Sequence, residues 1–554
     1  MKTRLIIWSI WISFLSYGQT PGFEWAVAAN GPGRSEAYAV TTDTNGNIYT
    51  TGFFENTVDF DPGTGVFELT SNGNEDIFIQ KTDADGHLLW AKQIGENSSV
   101  EDIGTAIFTD DYGNVYVAGI FSTTVDFDPG SGVYELSAQG FYDIFMLKLD
   151  TDGNFIWAKS LIGSSREYVY DMVLDTSGNI LITGKIEGPT DFDPDPNNSH
   201  IFQAPGHYDA FVAKYDVDGN YIWAKVFPNT NGNADAAGYG ITTDSNNNIL
   251  ITGFFEQTVD FDGGSGQLQL NSIGGKDIFI EKLNAGGDFI WAKQVGGTEH
   301  QEAFDIAVDS NNNVLLTGYF RGQTDFDPSL AEYNITAVQG DDFFVEKLDE
   351  NGNFIWAKAI PDASGIQRGN GITVNSNDEI LFTGQSKGIY IEKTTNEGNK
   401  IWSVNLNGNG NNTLGKAICI DANDNIITAG ILNGTHSVDF DPSDNDFLLT
   451  PASSWGNAFV YKLNNTLSGI YDNAVLSGVD IYPNPVTNVL HFRFDKIRTY
   501  EIYLFDLTGR ELNKITFKGK HYLLSFKKLP EGIYLIRLFD RYQNKVKTIK
   551  IQKL

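Results

Sequence analysis

Asp76–Ile94, DIFIQKTDADGHLLWAKQI, holds two apolar runs around an Asp-Ala-Asp-Gly turn, and the pattern recurs along the chain. Its Trp90 has counterparts at Trp25, Trp157, Trp223, Trp291, Trp356 and Trp402, so successive Trp stand 65, 67, 66, 68, 65 and 46 residues apart. A unit of that length filled with short β-type runs predicts a repeat architecture. In the same copy, Glu36–Asp43 (EAYAVTTD) and Asn47–Phe54 (NIYTTGFF) supply two further strands around Thr44-Asn45-Gly46. Alternating apolar residues joined by Asn, Asp and Gly are hairpin signals, and four antiparallel strands per unit make the blade of a β-propeller.

The last copy breaks off early. From Trp402 to Leu463, where its third strand ends, is 61 residues, against 59 from Trp90 to Leu149 in a complete copy. Only the Trp-bearing fourth strand is missing, and an unattached one stands at the other end as Phe23-Glu24-Trp25-Ala26-Val27. The expectation is an all-β chain: a seven-bladed β-propeller over 23–463 closed by its N-terminal strand, then a small C-terminal β-sandwich. Pairing the two ends leaves no open sheet edge between first and last blade.

The units resemble the β-propeller repeats known as SBBP, through Ile306-Ala307-Val308-Asp309, Asn313-Val314-Leu315-Leu316-Thr317-Gly318 and Asp209-Ala210-Phe211-Val212-Ala213-Lys214. The likeness implies the fold and says little about function.

Residues 1–18 join Lys2 and Arg4 to the apolar run Leu5–Leu15 and end in small residues, a signal-peptide pattern. That run is 11 residues, shorter than the ~20 a spanning helix needs, so no transmembrane segment is expected. The single Cys419 lies in an apolar run and offers no disulfide framework. Net charge is −33 overall but +8 over 479–554 and −41 over the rest, which marks a domain boundary. A body so acidic is a poor partner for nucleic acid.

The copy ending at Trp402 lacks the segment between strands two and three, and carries Gly384-Gln385-Ser386-Lys387-Gly388 instead. Elsewhere that segment is an accessory hairpin. In a four-stranded meander its loops and the blade-to-blade loops share one face of the ring, and tight turns take the other. Long loops on a rigid scaffold tend to carry binding residues. The blade-to-blade loops contribute Arg34, Glu36, Glu96, Glu101, Asp102, Arg166, Glu167, Asp235, Glu299, His300, Asp362 and Arg368.

Six hairpins contain Asp-Phe-Asp: Asp59/Asp61, Asp126/Asp128, Asp191/Asp193, Asp260/Asp262, Asp325/Asp327 and Asp439/Asp441. In an extended chain the two carboxylates point the same way about 6.6 to 7 Å apart with Phe facing inward. With backbone carbonyls they offer a site for Ca²⁺; the alternative is that Phe packs the hairpin and Asp starts a turn. The Asp83/Asp85-Gly86, Asp150/Asp152-Gly153 and Asp216/Asp218-Gly219 series lacks an EF-hand's downstream acid and reads as a hairpin turn. It is one residue longer, from Gly to Trp, than the Asp box of sialidases. The mature propeller has Arg34, Arg166, Arg321 and Arg368 as its only arginines, so an arginine cluster for a sialic acid carboxylate would need three of the four. The seven His are scattered, and neither His-Glu-x-x-His nor Gly-x-Ser-x-Gly occurs.

After a linker at 464–478 come Tyr482-Pro483-Asn484-Pro485, Leu507-Thr508-Gly509-Arg510 and Pro530-Glu531-Gly532-Ile533-Tyr534 among alternating strands. Residues 479–554 resemble the type A C-terminal sorting domain of type IX secretion cargo. That resemblance implies Sec export, passage through the outer membrane, removal of the tail by a surface peptidase, and release or surface attachment, with Tyr482, Pro483, Asn484, Pro485, Gly509 and Gly532 as its signal residues. Three functions remain open: a glycan- or protein-binding adhesion propeller, an extracellular polysaccharide hydrolase or lyase, and a surface protein stabilised by Ca²⁺.

Overall fold

A computed structural model describes residues 21–63, 65–97, 99–229, 234–262, 268–360, 366–407, 413–434, 436–443, 445–467, 479–505, 511–540 and 545–554. The export segment 1–18, residues 468–478 of the linker, Asp362 and Gly509 lie outside the described residues. Two compact units are present, Met1–Leu467 and Ser468–Leu554.

In the first unit Ser35–Thr42, Ile48–Phe54, Asp76–Thr82 and Leu88–Ile94 pair in sequence order as one antiparallel sheet. Its two middle strands are buried at every position, whereas Leu88–Ile94 alternates. The middle strands are covered on both faces by the neighbouring blades, which is why they read as near-continuous apolar runs. Among the described residues seven such four-stranded units occur, five as separate sheets and two extended to six strands by an accessory hairpin, and the fold is an all-β propeller.

The sheet that ends the ring is built from both ends of the unit. Leu414–Ile420, Ile426–Leu432 and Asn457–Leu467 are completed by Pro21–Ala28, with Ala26 opposite Tyr461 and Val27 opposite Val460. The third strand runs on into the expected linker because Gly22 and Pro21 still pair there, with Asn464 and Leu467.

The recurring Trp clamps one blade to the next. Trp25 Nε1 donates to the carbonyl of Ala84 at 3.0 Å, Trp90 Nε1 to Thr151 at 3.1 Å and Trp356 Nε1 to Asn396 at 3.1 Å, each in the following blade's strand-three-to-four turn. Those turns need a Gly at positive φ, and Gly86 (φ 84°) lies flat against Trp25. A Cβ there would sit 3.0 Å from the indole, so the Gly serves both turn and clamp. On the same face buried Lys–Asp pairs tie strands together: Lys214–Asp175 at 2.8 Å, Lys282–Asp244 at 2.9 Å, Lys347–Asp309 at 2.7 Å and Lys462–Asp421 at 3.1 Å.

Accessory hairpins form at Thr57–Asp59/Glu68–Thr70 and the equivalent positions of five other blades, and the short copy omits one. Two of them also pair with the outer strand of the preceding blade, Asp191 with Ile162 and Asp325 with Gly296. Each Asp-Phe-Asp buries its Phe, as Phe60 does between Phe54 (5.4 Å) and Phe78 (5.0 Å).

The carboxylates of these triplets are engaged by the backbone of their own hairpins. The strand ends at the first Asp because its Oδ1 accepts two backbone N–H groups, for Asp59 from Asp61 at 3.0 Å and Phe67 at 2.7 Å. The same double acceptance occurs at Asp126, Asp191, Asp260, Asp325 and Asp439. The second Asp caps the turn that follows. Asp61 accepts from Gly63 N at 2.8 Å, Asp128 from Gly130 N at 2.8 Å and Asp193 from Asp195 N at 3.0 Å, while Asp327 takes Ser329 N and Asp441 takes Ser443 N, both at 2.9 Å. Asp262 donates its own N–H to Asp260 at 3.2 Å, and residues 263–267 after it lie outside the described residues. Asp193 also meets His200 Nδ1 at 3.1 Å. The carboxylates of Asp59/Asp61, Asp126/Asp128, Asp191/Asp193, Asp325/Asp327 and Asp439/Asp441, and that of Asp260 in the pair Asp260/Asp262, thus take part in the turns of their own hairpins. Each first carboxylate, and every second one whose turn is described, spends an oxygen on backbone N–H groups. Among the described residues none of these pairs gathers a third acidic or His ligand.

The second unit is a five-stranded antiparallel sheet around one apolar core that includes Phe492, Phe494, Ile502, Phe526 and Ile536. Asn484, in the exposed Pro-Asn-Pro segment, donates to Lys550 O at 2.9 Å and accepts from Gln552 N at 3.0 Å, which holds the segment on the last strand. No helix of the described residues is long and apolar enough to cross a membrane.

Candidate binding site at the channel mouth

The innermost strand of every blade carries a β-bulge one turn below the long-loop face. The extra residue is Tyr38, Thr105, Tyr170, Tyr239, Phe304, Asn370 or Lys416 in chain order. A bulge leaves one residue out of the ladder and re-aims its side chain. All seven line one central cavity of about 180 Å³, together with Asp171 and Asp305.

The rings form a continuous arc. Tyr170 meets Tyr239 at 4.8 Å, Tyr239 meets Phe304 at 5.5 Å, and Phe304 meets Tyr319 at 5.7 Å. Above Tyr170 stand Tyr168, Tyr208 and Tyr142, with centroids 5.7 to 6.2 Å apart in contacting pairs. Asp171 and Asp305 each bridge two blades, accepting from the backbone N–H of Ile241 (2.8 Å) and Ile372 (2.7 Å). Burial raises both of their pKa values, and the charge of Asp171 raises that of Asp305 further.

The loop residues read from sequence surround this mouth in separate groups. Arg34 reaches Glu36 (3.2 Å), Glu55 (3.4 Å) and Glu75 (3.2 Å), while Glu36 also takes Lys416 at 2.8 Å. Glu101 accepts from Tyr142 OH at 3.4 Å. Arg166 pairs with Glu187 at 3.5 Å and lies over the Phe141 ring, and Asp235 holds His207 at 2.8 Å. Arg368 and Arg321 both grip Asp341. Asp102 and Glu167 are buried; Asp102 accepts from Ser122 N at 2.8 Å. Glu299 packs beside Gly322, and His300 accepts from Lys276 N at 3.2 Å. Among the described residues, Asp83, Asp85 and His87 bring three ligand atoms within 4.8 Å of one another; Asp83 is also engaged by the backbone N–H of Asp85 and His87.

Sequence reading missed the bulged residues and Lys185, Lys276, Glu75 and Glu302. The signal was present in the inner strands once aligned by register. The residue before the bulge is small in six of seven (Ala37, Gly104, Gly238, Ala303, Gly369, Gly415) and the second after it is apolar throughout (Val40, Ile107, Met172, Ile241, Ile306, Ile372, Ile418). The bulged position changes chemical class from blade to blade, and the residue after it is small except at Asp171 and Asp305.

The two faces differ in electrostatics. Carboxylates of the tight-turn face are held low: burial opposes, but N–H groups, Asn side chains and in some cases Lys prevail at Asp83, Asp150, Asp216, Asp244, Asp309 and Asp349. On the long-loop side burial prevails, and pushes Glu75 up to about 8 and Asp102 to about 7. Glu101's charge adds to the shift at Glu75. Glu167 rises to about 9 through burial and then its contact with Asp143. Perturbed acids gathered at one end of a scaffold mark a candidate site.

The sign for stability follows. An acid whose folded pKa is raised stabilises the fold while protonated, and that contribution is lost as pH rises through the folded value. The tight-turn acids act oppositely and only below ~4. The melting temperature is therefore expected to fall by ~5 °C or more between pH 6 and pH 9. A flat profile in scanning calorimetry across that window would refute the assignment.

Comparison with known proteins adds two matches within the chain. Residues 480–552 match the family described as secretion system C-terminal sorting domain, and residues 89–128 match the β-propeller repeat family SBBP. An uncharacterized WD repeat-containing protein of Acanthamoeba polyphaga mimivirus is 26% identical over 435 residues, 65% of this chain and 31% of that protein. The regulatory protein FlaEY of Caulobacter vibrioides is 23% identical over 234 residues, 42% of this chain and 22% of its own length. The chain thus spans less than a third of the curated relatives it matches. Among solved structures, an ulvan lyase of polysaccharide lyase family 25 aligns at 12% identity and TM-score 0.37, over 78% of this chain and 96% of its own. PorZ, a bacterial surface component of the type IX secretion system of Porphyromonas gingivalis, aligns at 11% identity and TM-score 0.27, over 96% of this chain and 100% of its own. The sorting-domain match places the chain in type IX secretion, at the cell surface or outside the cell.

Proposed function

We propose that this secreted propeller is a recognition module whose ligand, a glycan, enters the long-loop mouth of the central channel. The observation that carries the reading is the bulged column: Tyr38, Thr105, Tyr170, Tyr239, Phe304, Asn370 and Lys416 come from seven different blades yet line one cavity, and bring aromatic, hydroxyl, amide and ammonium groups together there. Aromatic faces beside hydrogen-bonding and charged groups suit pyranose rings, which present one apolar face and a polar rim.

Binding to a panel of polysaccharides tests it. Tyr239→Ser is expected to weaken the bound glycan by about tenfold or more, ~1.4 kcal/mol, and also to lower the melting temperature because the ring packs on Tyr170, Phe254 and Phe304, so affinity is measured on the folded protein. Undiminished binding by Tyr239→Ser and by Phe304→Ser would move the site elsewhere.

A second reading, a polysaccharide hydrolase or lyase, is favoured by one observation. Burial, then the Glu101 charge, pushes the Glu75 pKa up to about 8 against the opposing pull of Arg34 at 3.2 Å. A carboxylic acid still protonated at neutral pH is the feature a general acid needs. Chain shortening that disappears in Glu75→Gln while binding persists would select this reading.

A further inference from the structure

The cations at the channel mouth are matched, with one exception. Arg34, Arg166, Lys276, Arg321, Arg368 and Lys416 each have a carboxylate oxygen within 4.0 Å. Lys185 has none among the described residues. Its ammonium stands instead over the rings of Tyr208 (4.0 Å), Tyr168 (4.8 Å) and Tyr170 (6.0 Å). In a chain of net charge −33 an unmatched, half-buried ammonium is unexpected on abundance alone.

The acids nearest to it are already engaged. Glu187 accepts from Ser165 Oγ at 2.6 Å and faces Arg166, Asp235 faces His207 at 2.8 Å, and Glu302 accepts from Tyr319 OH at 2.7 Å and Lys276 at 2.9 Å. Ring faces strengthen a cation without neutralising it, so the site retains a positive point charge in a partly desolvated setting. Burial also lowers the Lys185 pKa, ahead of the opposing pull of Asp235. An incoming anion would reverse that penalty, because a charge pair is worth more where water is excluded. Beside it, Arg166 and the exposed Phe141 ring supply a second cation and an open aromatic face.

We propose that the arc of Lys185, Arg166, Tyr168, Tyr208 and Phe141 selects a glycan bearing a carboxylate, a uronic acid unit, with the carboxylate on Lys185 and the pyranose face on an aromatic ring. This rests on the glycan reading above and specifies its chemistry. A uronate fits better than an acidic peptide because the site offers one unmatched cation with ring faces around it, rather than a row of cations.

The test compares polygalacturonate oligomers, the same oligomers methyl-esterified, and neutral galactan oligomers, on wild type and Lys185→Met, by titration calorimetry. The acid form is expected to bind wild type at least about tenfold more tightly than the ester, and Lys185→Met to remove that preference. Polyglucuronate and alginate oligomers serve as further acid-form probes of different linkage. Equal binding of acid, ester and neutral oligomers by wild type overturns the uronate assignment and leaves the glycan reading standing. Binding of no oligomer of either class overturns both. Should Lys185→Met fail to fold, the acid-to-ester ratio on wild type still decides.

Discussion

Deleting Pro21–Ala28 is expected to abolish the soluble propeller. This segment is the outer strand of the closing sheet, and its removal leaves Asn457–Leu467 as an unpaired edge. It also strips Ala26 from the apolar cluster between the sixth and last blades, and Trp25 from the one between the last and first blades. Exposed edges of apolar strands pair with other chains, so aggregation is the expected fate. The junction has no covalent link; at its inner edge Thr42 Oγ1 donates to Ile420 O at 3.0 Å and Lys416 pairs with Glu36 at 2.8 Å. Trp25 Nε1 and Lys462 Nζ both reach Ala84 O, at 3.0 and 3.1 Å, and Ala458 N donates to Ser35 Oγ at 2.9 Å.

Closing a ring from ends more than 400 residues apart in sequence carries a chain-entropy penalty on the order of 5 kcal/mol. No other blade junction bears it, because the chain itself joins the others. A comparison of two point variants isolates the effect. Trp90→Ala and Trp25→Ala remove the same side chain and the same type of hydrogen bond, and truncating a buried Trp costs about 3–5 kcal/mol. Trp25→Ala is expected to lower the melting temperature more, and to let a protease cut near both termini of the unit first. Equal effects, or a folded and soluble deletion variant, would mean that the ring does not depend on this strand.

The fold was legible because repetition did the work of many independent signals. One hairpin such as DIFIQKTDADGHLLWAKQI is ambiguous, but seven Trp at near-constant spacing, each tied to a Gly turn, leave little else. The 46-residue interval and the incomplete last copy even located the blade without a hairpin and the strand Phe23–Val27. The site was less legible, for a physical reason. Loop residues such as Arg34, Glu36 and Arg166 were found by their position, yet what faces the channel is decided by bulges. A bulge shifts which side of the strand a residue points to, and period-two reading across EAYAVTTD cannot see it. Lys185 was passed over because it sits inside a strand, ILITGKI, that otherwise reads as core. The Asp-Phe-Asp carboxylates also engage nearby backbone N–H groups, as Asp128 does Gly130 and Asp327 does Ser329. Local alternation does not encode those contacts.

Removing residues 480–552 is expected to stop the propeller from reaching the surface or the medium while leaving it folded. The sorting-domain match covers this segment, and the segment folds around a core of its own that includes Phe492, Ile502 and Ile536. That core is drawn entirely from residues 479–551. Exposed Tyr482 and the Pro483-Asn484-Pro485 segment are held on the last strand by Asn484, and their shape depends on Lys550 and Gln552 being in place. A graded set of variants follows from that contact. Full removal should abolish export. Loss of the last strand, 545–554, should do so nearly as completely, because it takes away both partners of Asn484 and the pairing of Gly532–Asp540. Asn484→Ala, which loses two hydrogen bonds at an exposed site, should reduce export only partially, at ~1 kcal/mol per bond. Immunoblots of medium, cell surface and periplasm read the outcome. Accumulation of folded, protease-resistant propeller in the periplasm is the expected result for the deletion. Normal export without residues 480–552 would show that the propeller carries its own address, and unfolding of the retained protein would show that the two units depend on each other for stability.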